Sequence, residues 1–195
     1  MGLCRWFNDW VEQVGIEFSR RKQTVRFHLT DASGNEAQVT ALAKARWTDL
    51  TIGRNPNSAL NIIGDLLQIG DAGTSTYAVR IATSQHAEPW EMIIDNNASQ
   101  RNAKSYKGIL AKGKSDYYMI TPVYKLMNKH GNAVALPFGG SVGFEFRNQK
   151  GETVAAVSLI DNGVVYFSSL PANEKFLLAN AAAALLLQEQ LDQSS

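Results

Sequence analysis

The sequence predicts an α+β fold: a mostly antiparallel, barrel-like sheet around a hydrophobic C-terminal helix, with an extra amphipathic helix at the N-terminus. Three observations carry this. The run Phe176-Leu-Leu-Ala-Asn-Ala-Ala-Ala-Ala-Leu-Leu-Leu187 has almost no polar face. A helix apolar all round is buried on all sides or lies in a membrane, and this run is shorter than the roughly 20 apolar residues of a span. What precedes it alternates between apolar and polar residues and is broken by turn residues, as strands and hairpins are. Finally, one hairpin pattern recurs three times along the chain.

The elements follow in order. Leu3, Trp6, Phe7, Trp10, Val11, Val14 and Phe18 share one face at helical spacing, with Arg5, Asn8, Asp9, Glu12 and Glu17 opposite. This predicts an amphipathic helix over residues 1–22, weakened at Gly15 and closed by Arg20-Arg21-Lys22, charges that suit the negative end of its dipole. Residues 23–195 then read as a single barrel-like domain. Val25, Phe27 and Leu29 alternate inward, Asp31-Ala-Ser-Gly-Asn35 turns the chain, and Ala37, Val39 and Ala41 return it.

The repeat is an aromatic residue seven positions before a turn glycine. After that glycine come Asn or Glu and then small apolar residues. Phe27 and Gly34, Tyr124 and Gly131, and Phe144 and Gly151 each fit. Glycine is suited to the turn because positive φ strains other residues. A further turn, Asp161-Asn-Gly163, leads into Val164-Val-Tyr-Phe167. Residues 75–83 and 90–95 read as strands, 59–69 as a short helix or a strand, and 96–114 as basic turns with one edge strand. The last helix starts near Pro171, which is tolerated in a first turn, and Glu174 sits near its positive end. The polar tail 188–195 is expected to fray.

In this order of parts the chain resembles the tubby C-terminal-like superfamily, and within it the LURP-one-related and phospholipid scramblase families. The residues that carry the resemblance are Phe144 to Val157, Ser158-Leu-Ile-Asp-Asn-Gly-Val-Val-Tyr-Phe167, and Phe176 to Leu187. The resemblance implies a strand-rich barrel closed around the last helix. It also implies a non-enzymatic role, often lipid or phosphoinositide binding or another membrane-linked task. The cysteine cluster that many scramblases use for palmitoylation has no counterpart here.

Composition narrows the function classes. Net charge is +1, so no global field steers the chain to nucleic acid or membrane. The single cysteine, Cys4, excludes an internal disulfide. His28, His86 and His130 lack metal-ligand spacing, and Cys4 is remote from them, so neither metal nor cofactor is expected. Asp9 and Glu12 fall where a signal peptide would be apolar, and Trp6 replaces the Ser or Thr of an acylation pattern. The expected location is the cytoplasm, with attachment to a membrane surface as a variant.

Arg101, Lys104, Lys107, Lys112 and Lys114 lie in a stretch with no acid between Asp95 and Asp116. They read either as a solvated edge that discourages strand pairing or as a site for an anionic phospholipid headgroup. A nucleic-acid backbone is the poorer partner at this net charge. Trp6, Phe7 and Trp10 offer a face for packing on the barrel, for a protein partner or second copy, or for a membrane interface. The polar side of their helix is acidic, unlike most interfacial helices. The leading expectation is therefore a non-enzymatic binding module that engages anionic phospholipid. The alternatives are a protein-interaction or structural protein, and a hydrolase using one of two glycine strings. Gly108-Ile-Leu-Ala-Lys-Gly-Lys-Ser115 matches the phosphate-loop pattern, and Gly139-Gly-Ser-Val-Gly143 the nucleophile elbow. Each needs a helix to follow, and the residues after each string read as strands.

Overall fold

The computed structural model describes residues 11–19, 24–45, 76–84, 87–95, 108–113, 115–127, 133–135 and 141–192. Ten antiparallel strands form one sheet: β1 (Val11–Ser19), β2 (Thr24–Asp31), β3 (Glu36–Ala45), β4 (Thr76–Thr83), β5 (Trp90–Asp95), β6 (Gly108–Ala111), β7 (Tyr117–Val123), β10 (Gly143–Arg147), β11 (Thr153–Ser158) and β12 (Val164–Phe167). They pair in chain order, with a separate hairpin of β8 (Lys125–Met127) and β9 (Ala133–Ala135) set between β7 and β10. One helix, α1 (Ala172–Asp192), closes the chain.

The sheet curls into a half-barrel about this helix. α1 packs against β2, β3 and β4, near one end of the strand order, and against β11 and β12 at the other. A flat sheet could not bring both groups to one helix. Phe27, Val39, Val79, Ile81, Met92, Phe146 and Val157 join Phe176, Leu178, Ala182 and Leu185 in one buried cluster. The helix is covered on opposite sides. Leu178 and Leu187 lie two and a half turns apart, yet are only 0% and 2% exposed. Between them Lys175, Ala179 and Leu186 form a half-buried stripe. Leu186 approaches the turn between β11 and β12, where a Cβ on Gly163 would come within 2.5 Å of its Cδ2. The expectation of strands wrapped round the last helix thus holds as a half-barrel with a partly open seam.

Small residues let the strands come so close. Ala181, Ala182 and Ala184 are fully buried, as is Asn180, whose Nδ2 donates to the Phe176 carbonyl at 2.8 Å. Its Oδ1 is buried without a partner among the described residues. Tyr77 on β4 reaches into the same layer and donates its hydroxyl to the Ala184 carbonyl at 2.6 Å. The helix also continues beyond the predicted apolar run. Gln188, expected in a fraying tail, is buried, and helical backbone reaches Asp192.

Two copies of the recurrent hairpin have the same geometry. Gly34 donates to the Asp31 carbonyl and Gly151 to the Asn148 carbonyl, both at 2.9 Å, with φ of 78° and 79°. Asp31 Oδ1 accepts from the backbones of Ser33 and Asn35, and Asn148 Oδ1 from those of Lys150 and Glu152. Burial pushes the Asp31 carboxyl up, but the hydrogen bonds from Asn35 and Ser33 outweigh it and hold the group below its ordinary value. The third copy appears as the β8–β9 hairpin, with its turn outside the described residues. Nothing lies within 4 Å of a Cβ built on Gly151. Gly151→Ala should therefore lower stability by about 1 kcal/mol through backbone strain alone, as a shift in urea midpoint with unchanged slope.

The predicted N-terminal helix is corrected where it is described. Residues 11–19 form β1, paired with β2. The helical reading also concealed an alternation: Val14, Ile16 and Phe18 are register partners of Leu29, Phe27 and Val25. β-branched residues favour this state and Gly15 penalises a helix. Trp6, Phe7 and Trp10 lie outside the described residues, as does 59–69. The edge strand expected within 96–114 is instead interior. β6 pairs with both β5 and β7 and is buried throughout.

Candidate functional site

The register of four strands assembles a cleft at one end of the half-barrel. Glu91 on β5 pairs with Ala111 on β6, so Trp90 and Lys112 are next in line. Ala111 pairs with Tyr117 on β7, and Arg147 on β10 with Met119. One row therefore contains Trp90, Lys112, the start of β7, and the turn Asn148-Gln149-Lys150 after β10. The start of α1 faces the same end. The resulting cavity is about 390 Å³ and is lined by these residues with Asp116, Tyr117, Tyr118, Asn173, Glu174 and Leu177.

The cleft has an aromatic floor. The Trp90 and Tyr118 rings lie 5.8 Å apart at 35°, a separation typical of favourable aromatic pairs. Both side chains are buried, and the Trp90 Nε1–H has no hydrogen-bond partner among the described residues. Lys112 stands over this floor, with Nζ 5.8 Å from the Trp90 ring centroid and 4.0 Å from Asp116 Oδ2. Its backbone N–H donates to the Asp116 carbonyl at 3.0 Å and closes the β6–β7 turn. Gln149 Nε2 donates to the Ser115 carbonyl, joining that turn to the one that carries Lys150.

Lysines and carboxylates balance across the cleft: Lys112 and Lys150 against Asp116 and Glu174. Tyr118 senses the carboxylates. Burial, then Glu174, then Asp116 push its phenol up to about 12 from an ordinary 10.0. Its folded-state pKa is thus raised, so the stability associated with the neutral phenol is fully present below pH 10 and is lost as pH rises through 12. The urea midpoint should fall between those values, and less so in Tyr118→Phe. The wild-type absorbance titration should contain one tyrosine ionising near 12 that the variant lacks.

Of the five predicted cations, Lys112 lines the cleft, while Arg101, Lys104, Lys107 and Lys114 lie outside the described residues. Trp90, Tyr118, Lys150 and Glu174 were missed as site residues. Tyr117 and Tyr118 adjoin the basic stretch in sequence, a local signal. Lys150 reaches the site only through strand order, and Glu174 only through the packing of α1 in the half-barrel.

Neither glycine string is followed by a helix. Gly108–Ala111 is β6, and the chain turns back into β7. After Ser141 and Val142 comes strand β10. Among the described residues, no group of three or more His, Cys, Asp and Glu could hold a metal ion. No described helix is long and apolar enough to cross a membrane. Comparison with protein-family models, curated proteins and solved structures finds no match to this chain.

Proposed function

We propose that this protein is a non-enzymatic binding module that takes a phospholipid headgroup in the cleft at the end of the half-barrel, with Lys112 and Lys150 holding the phosphate. The observation that carries this reading is the pairing of those two lysines with an aromatic floor in a cavity of about 390 Å³. An ammonium near a phosphate oxygen forms a charge-assisted hydrogen bond, and basic residues at a membrane surface each contribute about 1 kcal/mol of attraction. The resemblance to the tubby-like superfamily points to the same ligand class. Of the basic stretch from Arg101 to Lys114, Lys112 is the described cation that lines the cleft.

Sedimentation with vesicles tests the reading. Phospholipid vesicles should bring the full chain down, whereas dispersions of a phosphate-free glycolipid should leave it in the supernatant. Lys112→Glu with Lys150→Glu should weaken the association at least about tenfold, since two attractions become repulsions. Equal recovery with phospholipid and glycolipid would remove the proposal.

A further inference from the structure

Building on that reading, we infer that the headgroup is a zwitterion of the phosphocholine type, with its quaternary ammonium over Trp90 and Tyr118 and its phosphate on the lysines. Two lysines and two carboxylates line the same cavity, and a ligand of one sign meets repulsion from half of them. A purely anionic headgroup would stand against Asp116 and Glu174. A purely cationic one would stand against Lys112 and Lys150. A ligand carrying both charges on adjacent groups satisfies all four.

The cation's place is already defined by the protein. Lys112 Nζ occupies a position over the Trp90 ring, within the roughly 6 Å at which a cation is attracted by an aromatic face. Its ion pair with Asp116 is long at 4.0 Å and Asp116 is exposed, so that tie is a weak one. A quaternary ammonium carries its charge with little hydration cost and suits an aromatic floor better than a primary one. When it enters, Lys112 is displaced from the ring and freed toward the phosphate. The Tyr118 phenol is pushed up first by burial and then by Glu174 and Asp116, so both carboxylates lie close enough to the floor to act on a charge there. Lys150 sits on the β10–β11 turn, held in place by the Gln149 bond to Ser115, and offers the phosphate a second ammonium.

Calorimetric titration of the full chain with phosphocholine, choline, inorganic phosphate and inositol phosphate tests this. Phosphocholine should bind about tenfold or more tightly than choline or inorganic phosphate. Glu174→Gln should weaken phosphocholine and choline several-fold and leave inorganic phosphate unchanged or tighter. Lys150→Gln should weaken phosphocholine and phosphate but spare choline. Both residues lie at the rim of the cleft, so their variants should fold. Inositol phosphate or inorganic phosphate binding as tightly as phosphocholine overturns the inference, as does tighter phosphocholine binding in Glu174→Gln. Vesicles separate the two readings. If phosphatidylglycerol and phosphatidylcholine vesicles both bring the protein down and free phosphocholine does not compete, the membrane reading stands and this one falls. If free phosphocholine binds and phosphatidylcholine vesicles leave the chain in solution, the zwitterion assignment stands and the lipid source falls.

Discussion

Alanine at Leu178 and alanine at Leu187 should each lower the unfolding free energy by about 2–5 kcal/mol. The two side chains project from opposite sides of α1 and are both almost wholly buried. Removing either takes apolar atoms out of contact and leaves a cavity that packed strands refill only in part. A helix resting on one sheet surface would behave differently: one of the two leucines would face solvent and tolerate alanine within about 0.5 kcal/mol. Leu186, on the half-buried stripe, should lie between, at about 1 kcal/mol, because less of its surface leaves water on folding. Urea unfolding of the three variants, with equal slopes, reads the pattern directly. A large loss at Leu178 beside none at Leu187 would contradict the half-barrel wrapped around the helix.

Gly143→Val should cost about 3 kcal/mol, the upper part of the range for forcing extra atoms into a packed structure, and should reduce the yield of folded protein. Gly143 begins β10 and pairs with Val123 on β7 and Ser158 on β11. A Cβ there would run into the carbonyl oxygen of Val157, a backbone atom that cannot rotate away. The strand would have to retreat from β11 and disturb two ladders at once. Gly113 supplies the contrast. It has nothing within 4 Å of its built Cβ, so Gly113→Ala should be neutral or stabilising by a few tenths of a kcal/mol through the unfolded chain. The pair also separates the roles of the two glycine strings. Gly143 serves close strand packing, while Gly113 lies in an open hairpin turn. Thermal unfolding followed by circular dichroism would measure both, and an unperturbed Gly143→Val would discount the close approach.

Much of the architecture was legible because its signals are local. The turn glycines at 34 and 151 announce positive φ, which few other residues adopt without strain. Alternation at Val25, Phe27 and Leu29 assigns an inward face wherever a sheet has one side buried. Residues 11–19 were misread for a related reason. Over so short a segment, Val14 and Phe18 satisfy a helical period while Val14, Ile16 and Phe18 satisfy a strand period. Only a neighbour able to accept the ladder distinguishes them, and β2 provides it. β6 was misread as an edge because its four residues are flanked by polar, basic chain, although both its backbone edges are paired.

By itself, the sequence determined that an apolar helix would have to be covered on more than one side. Its apolar run admits no solvent-facing stripe wide enough to keep it at a surface, and water would penalise every uncovered leucine. It also determined the hairpins, whose turns close over four or five residues. Tertiary structure alone decided that the sheet stops at a half-barrel and that Trp90, Lys112, Tyr118, Lys150 and Glu174 meet in one cleft. Those residues come from separate strands, two turns and a helix end. Their meeting depends on strand order and register, which are set by the summed packing of the whole sheet on α1 and not by any segment alone.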